Sequence, residues 1–377
     1  MDLFGDLQVT WWLLLGVLLV GLGVMVGMDM GVGTLLRYVG RSDVERRVAL
    51  NVIGPHWEGN QVWFILGGGA IFAAFPLIYA TAFSGFYVVM MLLLWTMIVR
   101  PLGFEYRSKI ADVKWRNVWD WSLFVSGAVP MIIFGAAVGN LFCGVPYTFA
   151  WDMASVYTGS FLGLLNPFAI STGLLSLALS VMMGGLMLMH RTEGALRERA
   201  RRAAAGGSLA AIILFAGDGI WVRALDGYRL VRSPQPGTLE TPLEQIVTRA
   251  AGAWRGNFSL HPVLWVVPIV AFLALFGAYL AARTRRGQLG WWCGALAWAG
   301  VIGTAGAGLF PFLLPSSQDP SVSLTVWNAS SSRLTLEWML GFAVVFVPII
   351  LWYTSWAFWV MRGQVKPEHV AHDEHVY

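Results

Sequence analysis

Long apolar runs separated by short charged segments follow one another along the whole chain. Between Gly59 and Val99 there is no acidic or basic residue over 41 positions, about 60 Å of helix at 1.5 Å per residue. One span needs only about 20 apolar residues, so this run predicts two spans, with Phe75-Pro76 as the expected break. The whole pattern predicts nine transmembrane helices, at about 9–33, 59–79, 82–102, 119–142, 161–189, 205–224, 261–282, 289–312 and 338–360.

The basic residues indicate the orientation of these helices. If the N-terminus is outside, nineteen of the 25 Lys and Arg residues lie in the inner segments. Cytoplasmic loops carry an excess of positive charge, so the pattern predicts an outer N-terminus and a cytoplasmic C-terminus. Two longer outer segments, about 225–260 and 313–336, are predicted to form irregular caps.

Composition agrees with a chain surrounded by lipid. Hydrophobic residues make up 57% of the sequence and charged residues 12%, against about 25% charged residues in soluble domains. Soluble, fibrous and disordered classes are therefore excluded. The separated Cys143 and Cys293 exclude a disulfide scaffold and a cysteine-held iron–sulfur cluster. His190 and His261 are predicted at opposite membrane faces, so neither a bis-histidine haem site nor another metal site is expected on this chain.

Acidic residues in or beside the apolar runs are the main candidates for chemistry, because a charge inside a membrane is costly. Asp29 lies towards the inner end of the first predicted span, and Glu58 begins the second. Glu105 follows the third span and Asp120 begins the fourth, both again on the inner side. Four acids from four successive spans thus converge on the cytoplasmic half, which suits a chain of exchangeable protons.

A structural interpretation of the same acids stays open. Arg100 and Arg107 lie among them and can form ion pairs, while Lys109 can belong either to a proton path or to the interface. The structural alternative is strongest for Glu105 and Asp120, which lie at the predicted membrane boundary. We therefore include Asp120 and Lys109 only as further candidates of the path.

Five motifs, in order along the chain, carry a resemblance to a known family. They are GMDMGVG at 27–33, GPHWEGNQVW at 54–63, RPLGFEYRSK at 100–109, FPFLLPSS at 310–317 and SLTVWNASSS at 323–332. Together they make the chain resemble subunit II of the cytochrome bd-type quinol oxidases throughout its length. The second and third motifs are the most specific, because each combines polar and aromatic residues over ten positions.

The resemblance implies an all-α polytopic fold with two four-helix bundles and one peripheral helix. The corresponding division is 1–145 for the first bundle, 155–315 for the second, 316–363 for an outer loop and the ninth helix, and 364–377 for a cytoplasmic tail. It also implies a bacterial inner-membrane complex with a larger subunit I. That partner would carry two b-type haems and one d-type haem, oxidise quinol and reduce dioxygen to water while a membrane potential is generated. A structural quinone and a small single-span accessory subunit occur in some members.

The resemblance assigns no catalytic residue to this chain but implies a cytoplasmic proton-uptake path through Asp29, Glu58 and Glu105, which match acidic positions of the family motifs. Several members have Asp at the positions of Glu58 and Glu105, so the carboxylate is kept with a longer side chain. Asn328 replaces an acid of some members, which puts a titrating role there in doubt. Met25 replaces another acid of some members, four residues before Asp29. Water or another group would therefore have to carry protons at that depth of the membrane.

Two other classes of function compete with an oxidase subunit. The acids could serve a stand-alone proton-coupled transporter or channel, for which Pro130 and Pro167 would mark broken helices. They could also be static ion pairs in a scaffold. The three classes differ in whether Asp29 and Glu58 exchange protons and in whether haem accompanies the purified chain.

Overall fold

Long helices dominate the computed structural model, which describes residues 3–232 and 245–368. The helices are α1 (Leu3–Gly21), α2 (Gly27–Val39), α3 (Asp43–Ile53), α4 (Trp57–Ala74), α5 (Pro76–Gly85), α6 (Tyr87–Tyr106), α7 (Val113–Cys143), α8 (Pro167–Arg191), α9 (Gly194–Trp221), α10 (Gly256–Leu260), α11 (Val266–Arg283), α12 (Gly287–Leu309) and α13 (Arg333–Val360). Short 3-10 turns at Leu162–Leu164, Ala253–Arg255, Pro262–Trp265 and Pro320–Val322 connect several of them.

Membrane-spanning helices account for most of the chain. Helices α1 and α2 form one continuous rod through a π-helical turn at Leu22–Val26. The expected break at Phe75 is confirmed, because α4 and α5 meet there at an angle of 116°. Eight described helices are long and apolar enough to cross a membrane, and the bent pair makes nine if it is one span. The multi-pass helical class is therefore confirmed, while the orientation and the two-bundle division stay predictions.

Local sequence explains where several helices begin. Ser42 and Glu45 form a reciprocal capping box at the start of α3. Asn166 accepts a hydrogen bond from the Ala169 N–H at 2.8 Å, and Pro167 occupies the first turn of α8, where no backbone donor is required. These caps satisfy backbone N–H groups that would otherwise lack partners, so the breaks between apolar runs become defined helix ends.

Helix α2 lies between α7 and α8, and glycine allows the close approach. A Cβ added at Gly31 would lie 1.9 Å from the Ser180 carbonyl oxygen of α8. A Cβ added at Gly127 of α7 would lie 2.5 Å from the Met30 carbonyl oxygen. Small residues at such positions let helix backbones pack directly against each other in membranes. This packing fixes the position of α2 and of the Asp29 side chain that it carries.

Gly31→Ala is expected to destabilise the protein, since the atom facing the new methyl group is a backbone oxygen that cannot rotate away. Overpacking of this kind costs about 1–3 kcal/mol, and we expect faster thermal inactivation of the purified protein. Gly206→Ala on α9 is the matched control, because Gly206 is exposed and nothing lies within 4 Å of its added Cβ. Equal inactivation rates for the two variants would contradict the packing argument.

Three short antiparallel sheets lie between the helices of the described chain, and two of them fall mainly in the segments predicted to be irregular caps. The strands are β1 (Tyr147–Phe149), β2 (Ser155–Tyr157), β3 (Asp226–Arg232), β4 (Ile246–Ala251), β5 (Phe312–Leu314) and β6 (Leu324–Thr325). They pair as β1–β2, β3–β4 and β5–β6. The prediction of irregular structure was therefore wrong for these parts of 225–260 and 313–336, because backbone pairing satisfies groups that coil would leave to water.

Helix α13 lies at the edge of the molecule and is attached mainly at its two ends. Leu336 is its only buried residue, and the Trp11 indole N–H donates to the Leu336 carbonyl at 3.0 Å. At the other end, the buried Arg191 donates to the carbonyl groups of Met361 and Gly363. Most of α13 therefore exposes apolar side chains. Of the predicted tail, residues 369–377 lie outside the described part of the chain.

Candidate functional site

Asp29 is one of two candidate acids that are fully buried. It lies in the first turn of α2, directly after the π-helical turn, and its side chain has no exposed surface. The Asn60 Nδ2 of α4 donates to its Oδ2 at 2.9 Å, and Arg100 Nη2 of α6 lies 3.8 Å from the same oxygen. A buried carboxylate needs hydrogen bonds and a cation. Asp29 has one amide donor and one cation beyond hydrogen-bond distance, so its charge is only partly compensated.

Arg100 is held beside two aromatic rings and retains unused donors. Trp57 and Phe104 stack with ring centroids 4.8 Å apart, and the guanidinium carbon lies 5.6 Å and 6.0 Å from their centroids. Within the described residues, Arg100 Nη1 and Nη2 and Asp29 Oδ1 have no hydrogen-bond partner. Buried polar atoms of this kind normally contact ordered water. Water in contact with Asp29 Oδ1 and Arg100 Nη1 would satisfy these buried atoms.

His56 joins this site to α13. Its ring stacks on Phe358 at a centroid distance of 4.4 Å, and its Nδ1 lies 3.5 Å from Asn60 Nδ2. Burial, followed by the charge of Arg191, lowers the pKa of His56 to about 4. The imidazole is therefore neutral at pH 7, and it contributes a further buried nitrogen, Nε2, without a hydrogen-bond partner in the described part of the chain.

Asp120 belongs to a different cluster. Arg107 Nε lies 2.6 Å from its Oδ1, and Arg46 Nη1 lies 2.7 Å from its Oδ2. Arg107 also contacts Asp43 at 2.9 Å, and Arg116 contacts the other oxygen of Asp43 at 2.8 Å. Two guanidinium groups thus contact the fully buried side chain of Asp120, one at each oxygen. This geometry favours the structural alternative for Asp120, and it gives Arg107 the predicted ion-pair position.

Glu58, Glu105 and Lys109 lie on the exposed surface of the chain. On α4, Glu58 and the inward-facing Asn60 are two residues apart and project to opposite sides of the helix. On α6, Glu105 is exposed whereas Arg100 is buried. The same two helices therefore contact Asp29 on one side and present an acid on the other.

Asn328, where some members have an acid, has a structural role in its turn. Its Oδ1 accepts hydrogen bonds from the Thr325 N–H at 2.7 Å and hydroxyl at 3.0 Å, and its Nδ2 donates to the Ser323 carbonyl at 3.1 Å. An amide serves here because it both accepts and donates. The turn has no requirement for a titrating group.

A cavity of about 440 Å³ opens between α7, α8 and α9 at the opposite end of the molecule from Asp29. Its walls are mainly apolar and include Phe168, Trp221 and Leu164. Next to it, the buried Tyr228 hydroxyl has no hydrogen-bond partner among the described residues, and burial raises the pKa of Tyr228 to about 12. An apolar cavity beside a neutral hydroxyl suits an uncharged lipophilic molecule.

Comparison with known families identifies the chain. A model of the cytochrome bd terminal oxidase subunit II family matches residues 7–361. The chain belongs to this family. Cytochrome bd subunits of this type act within a quinol oxidase, so the chain is a subunit of an oxidoreductase complex of the respiratory chain, as the motifs indicate.

Individual relatives of the cytochrome bd family cover nearly the full length of the chain. The cytochrome bd-I ubiquinol oxidase subunit 2 of Escherichia coli (strain K12) is 45% identical over 370 residues, which are 98% of each chain. The cytochrome bd ubiquinol oxidase subunit 2 of Bacillus subtilis (strain 168) is 31% identical over 367 residues, 96% of this chain and 97% of the relative. The same fold occurs in the bd oxidase from Geobacillus thermodenitrificans, with a TM-score of 0.69 and 15% identity over 94% of this chain and 98% of that one.

Membership in the cytochrome bd family, together with the apolar helices, indicates a multi-pass membrane protein. It also implies a haem-containing complex with a subunit I that uses quinol and oxygen. In the described residues of this chain, no group of three or more His, Cys, Asp and Glu side chains is placed to hold a metal ion.

Sequence reasoning overlooked several residues that hold the candidate acids in place. Arg46 and Asp43 complete the ion-pair cluster around Asp120, although they lie more than sixty residues away from it in the sequence. Phe358 of α13 covers His56. The basic and acidic start of α3 was the available signal for Arg46 and Asp43, but apolar periodicity gives no signal for the contact of Phe358.

Proposed function

We propose that this subunit stabilises the haem-bearing subunit I of a cytochrome bd-type quinol oxidase and supplies it with protons from the cytoplasmic side. The observation that carries the proposal is the position of Asp29. This acid is fully buried, and its negative charge is only partly compensated by Asn60 and Arg100. It lies behind α4 and α6, each of which presents an acid on its outer side. The ion pair with Arg100 has an N···O distance of 3.8 Å, so Arg100 attracts the carboxylate but donates no hydrogen bond to it.

The outer face of α4 and α6 supports docking of subunit I. On α4 the exposed positions Glu58, Ile65 and Phe72 are seven residues apart and lie on one side of the helix. On α6, Leu94 and Glu105 share a second such face. An apolar surface with acids at one end suits a protein partner that can donate hydrogen bonds to the carboxylates or exchange protons with them, because lipid tails do neither.

Protons would enter at the end of the molecule that carries Lys109 and Glu105 and reach the space between Asp29 and Arg100. Asn60 and the unpaired nitrogens of Arg100 can hold the connecting water. From Asp29 a proton would pass between α4 and α6, with Glu58 at their outer surface, towards the partner. Asp120 would anchor the adjacent loop through Arg107 and Arg46 and take no part in transfer.

The chemistry of oxygen reduction would take place on subunit I, with two b-type haems and one d-type haem, and generate a membrane potential. This chain would contribute proton binding and the docking surface, together with any small accessory subunit. The cavity lined by Phe168 and Trp221 fits the structural quinone found in some members, because its walls are apolar and the Tyr228 hydroxyl beside it is free to donate a hydrogen bond.

Glu58→Gln is expected to slow oxygen reduction while the assembled oxidase keeps its haem. The amide has the same shape but cannot bind and release a proton, so we expect the rate of proton transfer to fall by about two- to tenfold. This effect is smaller than the loss of about 10²-fold expected for a buried general acid, because water can partly replace an exposed group. Turnover with quinol and the reduced-minus-oxidised spectrum of the purified complex measure the two effects.

Glu193→Gln provides the matched control for Glu58→Gln. Glu193 is an exposed acid before α9 whose side chain caps no backbone group, so turnover should stay unchanged. If Glu58→Gln also turned over at the normal rate with full haem content, the scaffold function would replace proton supply. If no haem-bearing partner co-purified at all, the stand-alone transporter would be favoured.

A further inference from the structure

A second cavity, which is polar, lies at the same end of the molecule as Asp29 but on the far side of the helix bundle. It encloses about 290 Å³ between the first turns of α9 and the connection from α11 to α12. Three arginines, Arg197, Arg201 and Arg285, line it together with Glu198 and Gly194. Because arginine supplies most of its lining, the cavity is suited to an anion.

The single carboxylate of this cavity cannot compensate the guanidinium groups around it. Arg201 contacts Glu198 through two hydrogen bonds, of 2.6 Å and 2.9 Å, while Arg202 and Arg285 lie 3.4 Å and 3.7 Å from the carboxylate. The latter two are mostly exposed, at 67% and 71% of the side-chain surface, so their contacts with Glu198 are weak and exchangeable. A net positive charge therefore remains at the cavity.

Arg197 supplies an unused donor and holds the two walls together. Its Nη2 donates to the Arg285 carbonyl at 3.3 Å, whereas its buried Nε has no hydrogen-bond partner within the described residues. Arg285 has a φ of 61°, a left-handed conformation that is uncommon for a non-glycine residue. The first turn of α9 also has no side-chain cap, since Glu193 does not bond to it.

We infer that this cavity binds the phosphate group of an anionic lipid. Planar guanidinium groups hold phosphate oxygens through paired, charge-assisted hydrogen bonds, and Arg197 and Arg285 offer such donors. Phosphate chemistry alone would also fit a soluble phosphate. The adjacent surface favours lipid, because Leu280 of α11 and Leu289 and Trp292 of α12 are exposed apolar side chains beside the arginine-bearing connection.

The test compares lipid binding by the complete two-subunit oxidase and by its Arg197→Gln/Arg285→Gln variant. The probes are dioleoylphosphatidylglycerol, dioleoylphosphatidylcholine and inorganic phosphate, and the readouts are lipids retained in native mass spectrometry and protection against thermal inactivation. We expect wild-type protein to prefer phosphatidylglycerol over phosphatidylcholine. The variant should bind phosphatidylglycerol about tenfold more weakly, because two charge-assisted hydrogen-bond donors are lost.

Arg41→Gln is the matched control, an exposed arginine after α2 at the same end of the molecule, and it should bind phosphatidylglycerol as wild type does. Protection by inorganic phosphate equal to that by phosphatidylglycerol, and lost in the variant, would support the phosphate site and assign it to a soluble ligand.

Equal retention of both lipids by wild type, with no effect of phosphate, would overturn the inference even if the glutamine variant failed to assemble. Arg197→Lys/Arg285→Lys guards against such failure, because it keeps both charges but loses the bidentate donors. It should show an intermediate affinity for phosphatidylglycerol.

Discussion

Asp29→Asn is expected to slow oxygen reduction by the complex about 10²-fold, the effect of removing a positioned proton-transfer group. The asparagine keeps an acceptor for the Asn60 amide, which donates to Asp29 at 2.9 Å, but it cannot bind a proton. Turnover with quinol, normalised to the haem content of the purified complex, measures the loss. Proton uptake from the cytoplasmic side during a single turnover should fall in parallel.

The same substitution leaves Arg100 as a buried charge without its counter-ion, which by itself costs about 3–5 kcal/mol. Reduced assembly could therefore be mistaken for reduced proton supply. The double variant Asp29→Asn/Arg100→Gln removes both charges and should recover haem content while turnover stays low. Wild-type turnover in the double variant would show that the Asp29 carboxyl lies off the route and would favour a purely structural function.

Asp29→Glu is the conservative variant to compare with Asp29→Asn. It keeps the carboxyl group but extends it by one methylene into a site with no exposed surface, so we expect intermediate turnover and a modest loss of stability. A glutamate variant as slow as the asparagine variant, with full haem content, would indicate that the position of the carboxyl matters more than its proton.

The spans could be predicted from sequence because each one reflects a single physical requirement, an apolar surface long enough to cross lipid. The break at Phe75 was predictable for a similar reason, since Pro76 cannot continue the hydrogen-bonding ladder of α4. The short strands between the helices were missed for two reasons. Four of them contain only two or three residues, and the longer β3 and β4 do not alternate apolar and polar positions strictly.

The candidate site was predicted less completely than the spans. Which acids lie near the same end of the molecule follows from their order along the chain, but which side of a helix they face does not. Helix α4 is apolar around its whole circumference apart from its first turn, so no periodicity indicates that Asn60 faces Asp29 while Glu58 faces outward. The arginine partners of Asp120 depend on how α3, α6 and α7 pack, and sequence spacing does not determine that packing.

Arg107→Ala should have the largest effect on stability. Arg107 has 1% of its side chain exposed and contacts the fully buried Asp120 and the half-exposed Asp43. Removing one partner of a buried ion pair costs about 3–5 kcal/mol, so little assembled oxidase should be recovered from membranes. Arg116→Ala is the matched control. Arg116 pairs with Asp43 and donates to the Ile110 carbonyl at 3.3 Å, and the side chains of both Arg116 and Asp43 are partly exposed, so the expected cost is about 0–1 kcal/mol.

The variant Arg107→Leu/Asp120→Leu separates an anchoring function of Asp120 from a proton-carrying one. Replacing a buried ion pair by apolar side chains is often neutral for stability, and Arg46, with 22% of its side chain exposed, can turn towards water. We expect assembly to recover well above that of Arg107→Ala, with turnover per haem close to wild type. Normal assembly with turnover reduced as far as in Asp29→Asn would place Asp120 in the proton path, against the geometry of its two arginine contacts.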